Sequence, residues 1–414
     1  MSIGHWSTRA HETDSADPVE LAALRPLAPA PDREPVPATA AWQEGDDIGR
    51  RQFLSVGDLT LESGVVLPDV TVAYETWGQL NEDHSNAVLL EHALTADSHV
   101  VGPIGPGHNA PGWWEGIVGP GLAIDTNKWF VISANVLGGC QGTTGPSTIS
   151  PDGRPYGADF PQITIRDQVT TEVALADALG IERWAMVAGG SMGGMRALEW
   201  AVTEPERVER LVVIAAPAQT TGDHIAWAAP QLAAIRLDPA WRGGQYYDAP
   251  AGHGPHHGLG IARRIAHATY RSAHEFDTRF GHQSQGEGAT LVAGATHERG
   301  RFAVESYLDH HADKISRRFD ANSYIVLTES LLTQDVGRGR GGVRAALGQV
   351  IAKTLVVGVD TDRLYPIAQQ ERIASGIPGA APMEVIRSPY GHDGFLIEID
   401  QMGGLIRGLL HDVD

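Results

Sequence analysis

Hydrophobic and polar positions change rhythm along the chain. Between Phe53 and Thr76 they alternate, as in Val70-Thr-Val-Ala-Tyr-Glu-Thr76. A period of two turns one strand face to a core and the other to water, which predicts antiparallel strands. From Ala87 onward the strand signals become short, continuous apolar runs: Ala87-Val-Leu-Leu90, Trp129-Phe-Val-Ile-Ser-Ala-Asn135, Trp184-Ala-Met-Val-Ala188 and Leu211-Val-Val-Ile-Ala-Ala-Pro217. Such runs suit strands covered on both faces. Helical patterns lie between them. One spans about Asp167 to Leu179, with Val169, Val173, Ala176 and Leu179 on one face and Gly180 as its stop. Another places Met195, Leu198 and Val202 at helical spacing. The alternation predicts an α/β protein with a mostly parallel sheet between helices.

The alternation stops near residue 218. Helical patterns broken by loops follow, at His224–Arg236, Gly258–Ser272, Phe302–Phe319 and Ser323–Leu332. Strand signals resume with Lys353-Thr-Leu-Val-Val-Gly-Val-Asp360 and Met383-Glu-Val-Ile-Arg387, and a last helix covers about Gly394 to Leu410. The expected organisation is a core of residues 46–217 and 345–414, interrupted by a helical insertion at 218–344. Residues 1–45 are rich in Pro, Ala, Asp and Glu and read as a disordered tail, unable to bury enough apolar surface to offset their ordering entropy. The segment Gly102–Gly121, rich in Gly, Pro and Trp, reads as irregular surface structure.

Composition narrows the function classes. The formal net charge of -20 disfavours nucleic acid and anionic membrane as partners. The single cysteine, Cys140, rules out an intrachain disulfide and a multi-cysteine zinc site, and suits a reducing, cytoplasmic compartment. No apolar run has the length of a membrane span, and no signal peptide is evident.

The candidate chemistry begins at Gly189-Gly190-Ser191-Met192-Gly193, which fits G-x-S-x-G between a buried strand and a helix. This context is that of a nucleophile elbow, where a strained turn lifts a serine hydroxyl above the sheet edge. Met192 then offers its N–H at the start of the helix to a developing oxyanion. A serine needs a base, and the base an orienting acid. Asp360 and Asp362 follow a buried strand, where catalytic groups of open α/β sheets sit, and either is a candidate. His392 follows the last strand, in Ser388-Pro-Tyr-Gly-His-Asp-Gly-Phe395.

These residues lie in longer stretches that resemble the homoserine O-acetyltransferases. The stretches are Gly189-Gly-Ser-Met-Gly-Gly-Met-Arg-Ala-Leu-Glu-Trp200, Asn135-Val-Leu-Gly-Gly-Cys-Gln-Gly-Thr-Thr-Gly-Pro146, Phe160-Pro-Gln-Ile-Thr-Ile-Arg-Asp167, Val304-Glu-Ser-Tyr-Leu-Asp-His310, Arg318-Phe-Asp-Ala-Asn-Ser-Tyr324 and Gly391-His-Asp-Gly-Phe395. The resemblance runs from about Phe53 to the C-terminus. It implies an α/β-hydrolase fold with a helical lid, a homodimer formed through that lid, and acetyl-CoA and L-homoserine as substrates, with O-acetyl-homoserine made for methionine synthesis. No bound cofactor or metal is implied. It assigns Ser191, Asp362 and His392 to a catalytic triad, choosing Asp362 over Asp360. Leu94, in His92-Ala-Leu-Thr95, would supply the second oxyanion N–H beside Met192. Arg263, Tyr270 and Asp393 would bind homoserine. Two positions depart from the family pattern: Arg196 stands where glutamine is usual and reads as a surface change, and Ala96 stands where glycine is usual, beside the oxyanion loop.

Three further features receive plain structural readings. His253, His256 and His257 lie in a Gly/Pro loop without nearby cysteine and are expected in solvent. Cys140 is expected to pack or shape its loop. The run Gly337-Arg-Gly-Arg-Gly-Gly342 lacks the lysine and hydroxyl of a phosphate-binding loop. Rival functions are a succinyl-CoA-dependent or serine-accepting relative and a plain esterase on the same fold. The complete Ser191, Asp362 and His392 set argues against an inactive binding protein.

Overall fold

A computed structural model describes residues 34–285 and 301–411. Eight strands form the central sheet: β1 (Gln52–Thr60), β2 (Val66–Trp77), β3 (Ala87–Glu91), β4 (Phe130–Ala134), β5 (Met186–Gly190), β6 (Arg210–Ile214), β7 (Lys353–Val359) and β8 (Glu384–Ile386). Their spatial order is β1-β2-β4-β3-β5-β6-β7-β8. The alternating strands β1 and β2 pair antiparallel at one edge, and β2 runs antiparallel to β4. Every pair from β4 onward is parallel. The continuous apolar runs thus occupy the middle of the sheet, and the alternating ones its edge.

Successive side chains on the central strands feed two cores. Leu89, Val187, Leu211 and Val213 join one cluster with Val169, Leu175, Leu198 and Trp200. Val88, Leu90, Met186, Ala188, Val212 and Ile214 join the other, with Met402, Ile406 and Leu410. The two-residue side-chain period of a strand explains the split. The helices that cover these faces include α1 (Ile165–Ala178), which begins in a capping box between Thr164 and Asp167, and α2 (Met192–Thr203). Gly180, at φ +69°, ends the chain's turn out of α1.

Between β6 and β7 the chain contributes helices α3 (Gly222–Leu237), α4 (His256–Tyr270), α5 (Ala273–Arg279), α6 (Ala303–Ser316), α7 (Ala321–Leu332) and α8 (Val343–Leu347). After β7 come α9 (Ile367–Gly376), α10 (Gly394–Ile397) and α11 (Ile399–His411). Four insertion helices match the expected patterns. Helices α5 and α8 do not: α8 is a single short turn after the Gly/Arg run, and at α5 Ser272 caps a new helix by accepting from Glu275 N–H, so the pattern that ended there restarts. The insertion also holds a two-residue antiparallel pairing, Ser284–Gln285 with Arg301–Phe302. Among the described residues no helix is long and apolar enough to cross a membrane.

Three local expectations change. Residues 34–45, read as the end of a tail, pack on the molecule: Thr39 Oγ1 donates to Asp320 Oδ2 at 2.8 Å, Trp42 N–H donates to Cys140 O at 2.9 Å, and Ala41 is buried. Their anchors lie far away in sequence, where composition does not register them. Residues 1–33 lie outside the described residues. Gly102–Gly121 is not all surface, because Trp114, Ile117 and Val118 enter the second core. Strand β5 continues through Gly189 and Gly190, which pair with Glu91, Val213 and Ile214.

Candidate active site

The glycines around Ser191 are dictated by crowding. A Cβ on Gly190 would stand 2.4 Å from the Phe395 ring, and one on Gly193 would stand 1.9 Å from the Glu91 carbonyl oxygen. Ser191 itself has φ +59° and ψ -124°, a conformation that costs a non-glycine residue about 1–3 kcal/mol and needs a rigid surround to persist. Its N–H is held by Ile214 O at 2.9 Å. Gly193→Ala should therefore displace β3 or α2. The expected result is a loss of about 1–3 kcal/mol in denaturant unfolding, with reduced activity per folded molecule.

His392 sits on a short 3-10 turn, Gly391–Asp393, packed under α4. Gly391, at φ +65°, is obligatory there: a Cβ would lie 2.4 Å from Tyr270 O. His392 Nδ1 lies 2.7 Å from Asp362 Oδ2. The other carboxylate oxygen, Oδ1, accepts the N–H groups of Leu364 and Tyr365 at 2.8 and 2.9 Å. Asp362 is thus fixed as an acceptor on both oxygens, and the His392 proton is placed on Nδ1, leaving Nε2 as the ring's acceptor. Burial alone would lower the His392 pKa, but the Asp362 charge and hydrogen bond outweigh it and hold it above the ordinary histidine value. Asp360 is exposed and does other work, accepting Ser388 N–H at 3.0 Å.

Ser191 and His392 line one cavity of about 350 Å³, with Leu94, Arg263, Tyr270 and Asp393 also on its wall. All the expected site residues but two meet there. Asp362 stands behind His392, and Met192, fully buried, opens α2 directly after Ser191. Leu94 lies on the loop that leaves β3. Ala96 N–H donates to Ala93 O at 3.0 Å within that loop, and Ala96 is not among the residues of positive φ, so alanine is unforced where the family favours glycine.

Helix α4 presents Arg263 and Tyr270 on one face. The guanidinium carbon stands 5.5 Å from the Tyr270 ring centroid, and Nη1 donates to Thr95 Oγ1 at 3.2 Å. Arg264 is turned elsewhere and pairs with Asp309 at 2.7 Å. Asp393 Oδ2 lies 3.0 Å from Arg271 Nη1. Several residues on the wall were not legible beforehand: Thr95, Trp113, His267, His311, Lys314 and Arg318. Burial, then the Arg263 cation, pulls His311 down to about 3 and His267 well below its ordinary value. Both rings are therefore neutral at pH 7, and the positive charge in the cavity comes from Arg263, Lys314 and Arg318. Tyr365, buried behind the site, packs edge-on to His392 with ring centroids 5.2 Å apart. A tyrosine three residues after an aspartate carries no distinctive spacing, so the sequence does not single it out.

Away from this cavity the plain readings divide. His253 and His257 are exposed, but His256 is half-buried at the start of α4, which begins two residues earlier than expected. Cys140 is buried, with its thiol pushed up by burial and by Asp320, so it packs rather than reacts. Arg338 and Arg340, of the Gly/Arg run, pair with Glu62 and Glu199. Arg196 is not a surface residue: it is fully buried, because two carboxylates, Glu91 and Glu172, lie within 2.5 and 3.4 Å of its guanidinium. Among the described residues, one group has the donor set for a cation, Glu75 with His99 and His108. Its donors are largely engaged: Glu75 accepts from Ser98 at 2.8 Å and lies 3.0 Å from His99 Nδ1, and His108 Nε2 accepts Arg50 N–H at 3.2 Å.

Comparison with known proteins places this geometry in a family. Residues 86–398 match the family model described as alpha/beta hydrolase fold. A homoserine O-acetyltransferase of Thermobifida fusca is 63% identical over 377 residues, covering 91% of this chain and 98% of its own. One from Mycobacterium leprae is 49% identical, covering 88% and 94%. Among solved structures, a homoserine O-acetyltransferase from Bacillus anthracis superposes with a TM-score of 0.78 at 29% identity, covering 87% of this chain and 97% of that one. Esterase E22 superposes equally well, at 28% identity over 87% and 99%. The chain belongs to the homoserine O-acetyltransferase family of the α/β-hydrolase fold.

Proposed function

We propose that the protein transfers the acetyl group of acetyl-CoA to the side-chain hydroxyl of L-homoserine by a ping-pong route, in a cytoplasmic step of methionine synthesis. The observation that carries the reading is the convergence of Ser191, a buried His392–Asp362 pair and Arg263 on one cavity, in a chain 63% identical to a named homoserine O-acetyltransferase. His392 Nε2 takes the Ser191 proton as Oγ bonds the thioester carbon. The C–S bond breaks, and the departing sulfur takes the proton back. His392 then takes the homoserine hydroxyl proton, the new oxygen attacks the acyl-enzyme, and Ser191 Oγ leaves with a proton. The N–H groups of Met192 and Leu94 stabilise the oxyanion in both halves.

Arg263 supplies a planar guanidinium for the acceptor carboxylate, with Tyr270 as a supporting donor and Asp393 beside the ammonium. Among the described residues Arg263 is held by the Thr95 hydroxyl and the Tyr270 ring, contacts that a carboxylate readily replaces. The insertion helices, which supply this half of the cavity wall, act as a lid that keeps water from the acyl-enzyme and as the surface through which two copies pair. Arg263→Ala is expected to raise the homoserine KM about tenfold or more while sparing acyl-enzyme formation, because the first half-reaction never meets the amino acid. Thiol release and acetyl-homoserine formation, measured separately, check this, and equal loss in both would assign Arg263 to the fold or the donor site.

A second reading, a plain esterase, is favoured by the superposition on esterase E22. It uses the same residues with water in place of homoserine. Thiol release from acetyl-CoA, with and without homoserine and beside succinyl-CoA and serine, separates the two. Release that continues at full rate without any acceptor points to the esterase.

A further inference from the structure

The two N–H groups aimed at the oxyanion stand on different elements. Met192 is the first residue of α2, and Leu94 lies three residues beyond the end of β3. Their separation depends on how the helix start is tied to the strand end. One buried side chain reinforces that tie. Arg196 lies on α2 about one turn after Met192 and is fully buried. Its Nη2 lies 2.5 Å from Oε2 of Glu91, the last residue of β3, and donates to the His92 carbonyl at 3.4 Å. Its Nη1 lies 3.4 Å from Glu172 Oε1 on α1, and Glu172 Oε2 accepts Trp200 Nε1–H, back on α2, at 2.8 Å.

The chain continues the clamp beyond Glu91. His92 Nε2 accepts Val136 N–H at 3.1 Å, so the ring proton is on Nδ1 and is donated to Ala93 O at 2.8 Å. Burial, then the Arg196 cation, holds His92 down at about 3, which keeps that tautomer neutral throughout the working pH range. Arg196 is thus bonded to the peptide from which the His92–Ala93–Leu94 loop departs. The backbones here are already in contact, since Gly193 has no room for a Cβ against Glu91 O. With the spacing this tight, the guanidinium fixes the remaining freedom, rotation and slide of α2 along the strand end.

We infer that Arg196 is a positioning residue for the oxyanion hole, setting the distance between the Met192 and Leu94 N–H groups through its bridge from α2 to Glu91 and His92. The inference rests on the proposed acyl transfer. An oxyanion exists only on the way to and from the acyl-enzyme, so a misplaced donor lowers the acylation rate constant and leaves donor KM alone. Loss of one such donor costs about 10²–10³, and displacement of roughly 1 Å costs up to about 10².

Arg196→Met keeps the reach of the side chain but removes the charge and the donors that span Glu91 and Glu172, and it does not install the glutamine usual in the family. It is expected to slow acylation by both acetyl-CoA and p-nitrophenyl acetate by the same factor, about 10–100, with burst amplitude per molecule unchanged and donor KM within about twofold. Arg196→Lys, which retains the charge, should recover part of the rate. In the double variant Glu91→Gln with Arg196→Met, Glu172 keeps its Trp200 partner and the Glu91 carboxyl is gone, so it should fold even where the single variant does not, and it should remain slow. An unchanged rate constant, a raised donor KM with normal rate, or a loss confined to burst amplitude overturns the inference, the last because it reports fewer folded sites. A wild-type protein that gives no burst with acetyl-CoA overturns the proposed function itself, whereas a wild-type burst matched by the variants overturns only the role of Arg196.

Discussion

Ser191→Ala is expected to stay unmodified after brief exposure to acetyl-CoA, while the wild-type protein gains the mass of one acetyl group. Turnover should fall by about six orders of magnitude, the scale seen when a nucleophilic serine of a triad is removed. The substitution deletes one atom from a side chain that is 9% exposed and leaves the backbone demand untouched. The φ of +59° must still be adopted, the Ile214 carbonyl still accepts the residue's N–H, and the glycines on either side still admit the neighbouring strand and ring. The melting temperature should therefore stay close to that of the wild-type protein. The covalent intermediate is what disappears, because a methyl group has no electron pair for the thioester carbon. The cavity wall is otherwise intact, so the variant should still retain acetyl-CoA by the contacts that do not involve Oγ. Intact-mass spectra recorded beside thermal melts separate the two effects. An acetyl group found on the variant would remove Ser191 from the mechanism, and a collapsed melt would show that its hydroxyl supports the turn.

The sheet and the nucleophile were legible because their signals are local. Four of the central strands are continuous apolar runs, and the turn at Ser191 is written in consecutive residues. Asp362 and Asp360 show where local reading ends. Two residues apart on one loop, both follow a buried strand, and only the fold turns one toward His392 and the other toward Ser388. Arg196 reads as a surface change because it is a charged residue on a helix, and a charge is rarely buried without a partner. Its partners, Glu91 and Glu172, lie on β3 and α1, and no spacing within α2 announces them. The packed segment 34–45 went unread for the same reason: its composition suits a tail, and its anchors at Cys140 and Asp320 are about 100 and 280 positions away. Arg263 and Tyr270 lie between these cases. Their common helix face follows from a seven-residue spacing, but that the face looks onto Ser191 is a fact of how the insertion folds back.

Asp362→Asn should lower turnover by about 10³–10⁴ and also change its dependence on pH. The carboxylate does three things. It accepts the Nδ1 proton of His392 at 2.7 Å, it is locked by the N–H groups of Leu364 and Tyr365, and its charge stabilises the imidazolium that forms as Ser191 is deprotonated. An asparagine in the same place can turn its NH₂ toward Nδ1, which moves the ring proton to Nε2 and removes the base. The sign of the pH effect follows from the same charge. Acylation needs neutral His392, so activity rises as pH passes upward through the His392 pKa. In the wild-type protein Asp362 holds that pKa above the ordinary value against the opposing effect of burial. The acid limb of kcat/KM should therefore lie above the ordinary histidine value. In Asp362→Asn the larger raising charge and its hydrogen bond are gone, the smaller effect of Asp393 and the lowering effect of burial remain, so the limb should move to lower pH as the plateau falls. Asp360→Asn, which loses only a contact with Ser388 N–H, should leave the limb in place and cost far less activity. Measured profiles of kcat/KM against pH for the three proteins decide the matter: a limb that shifts with Asp360 rather than Asp362 would assign the orienting role to the other carboxylate, and a limb that moves with neither would detach His392 from both.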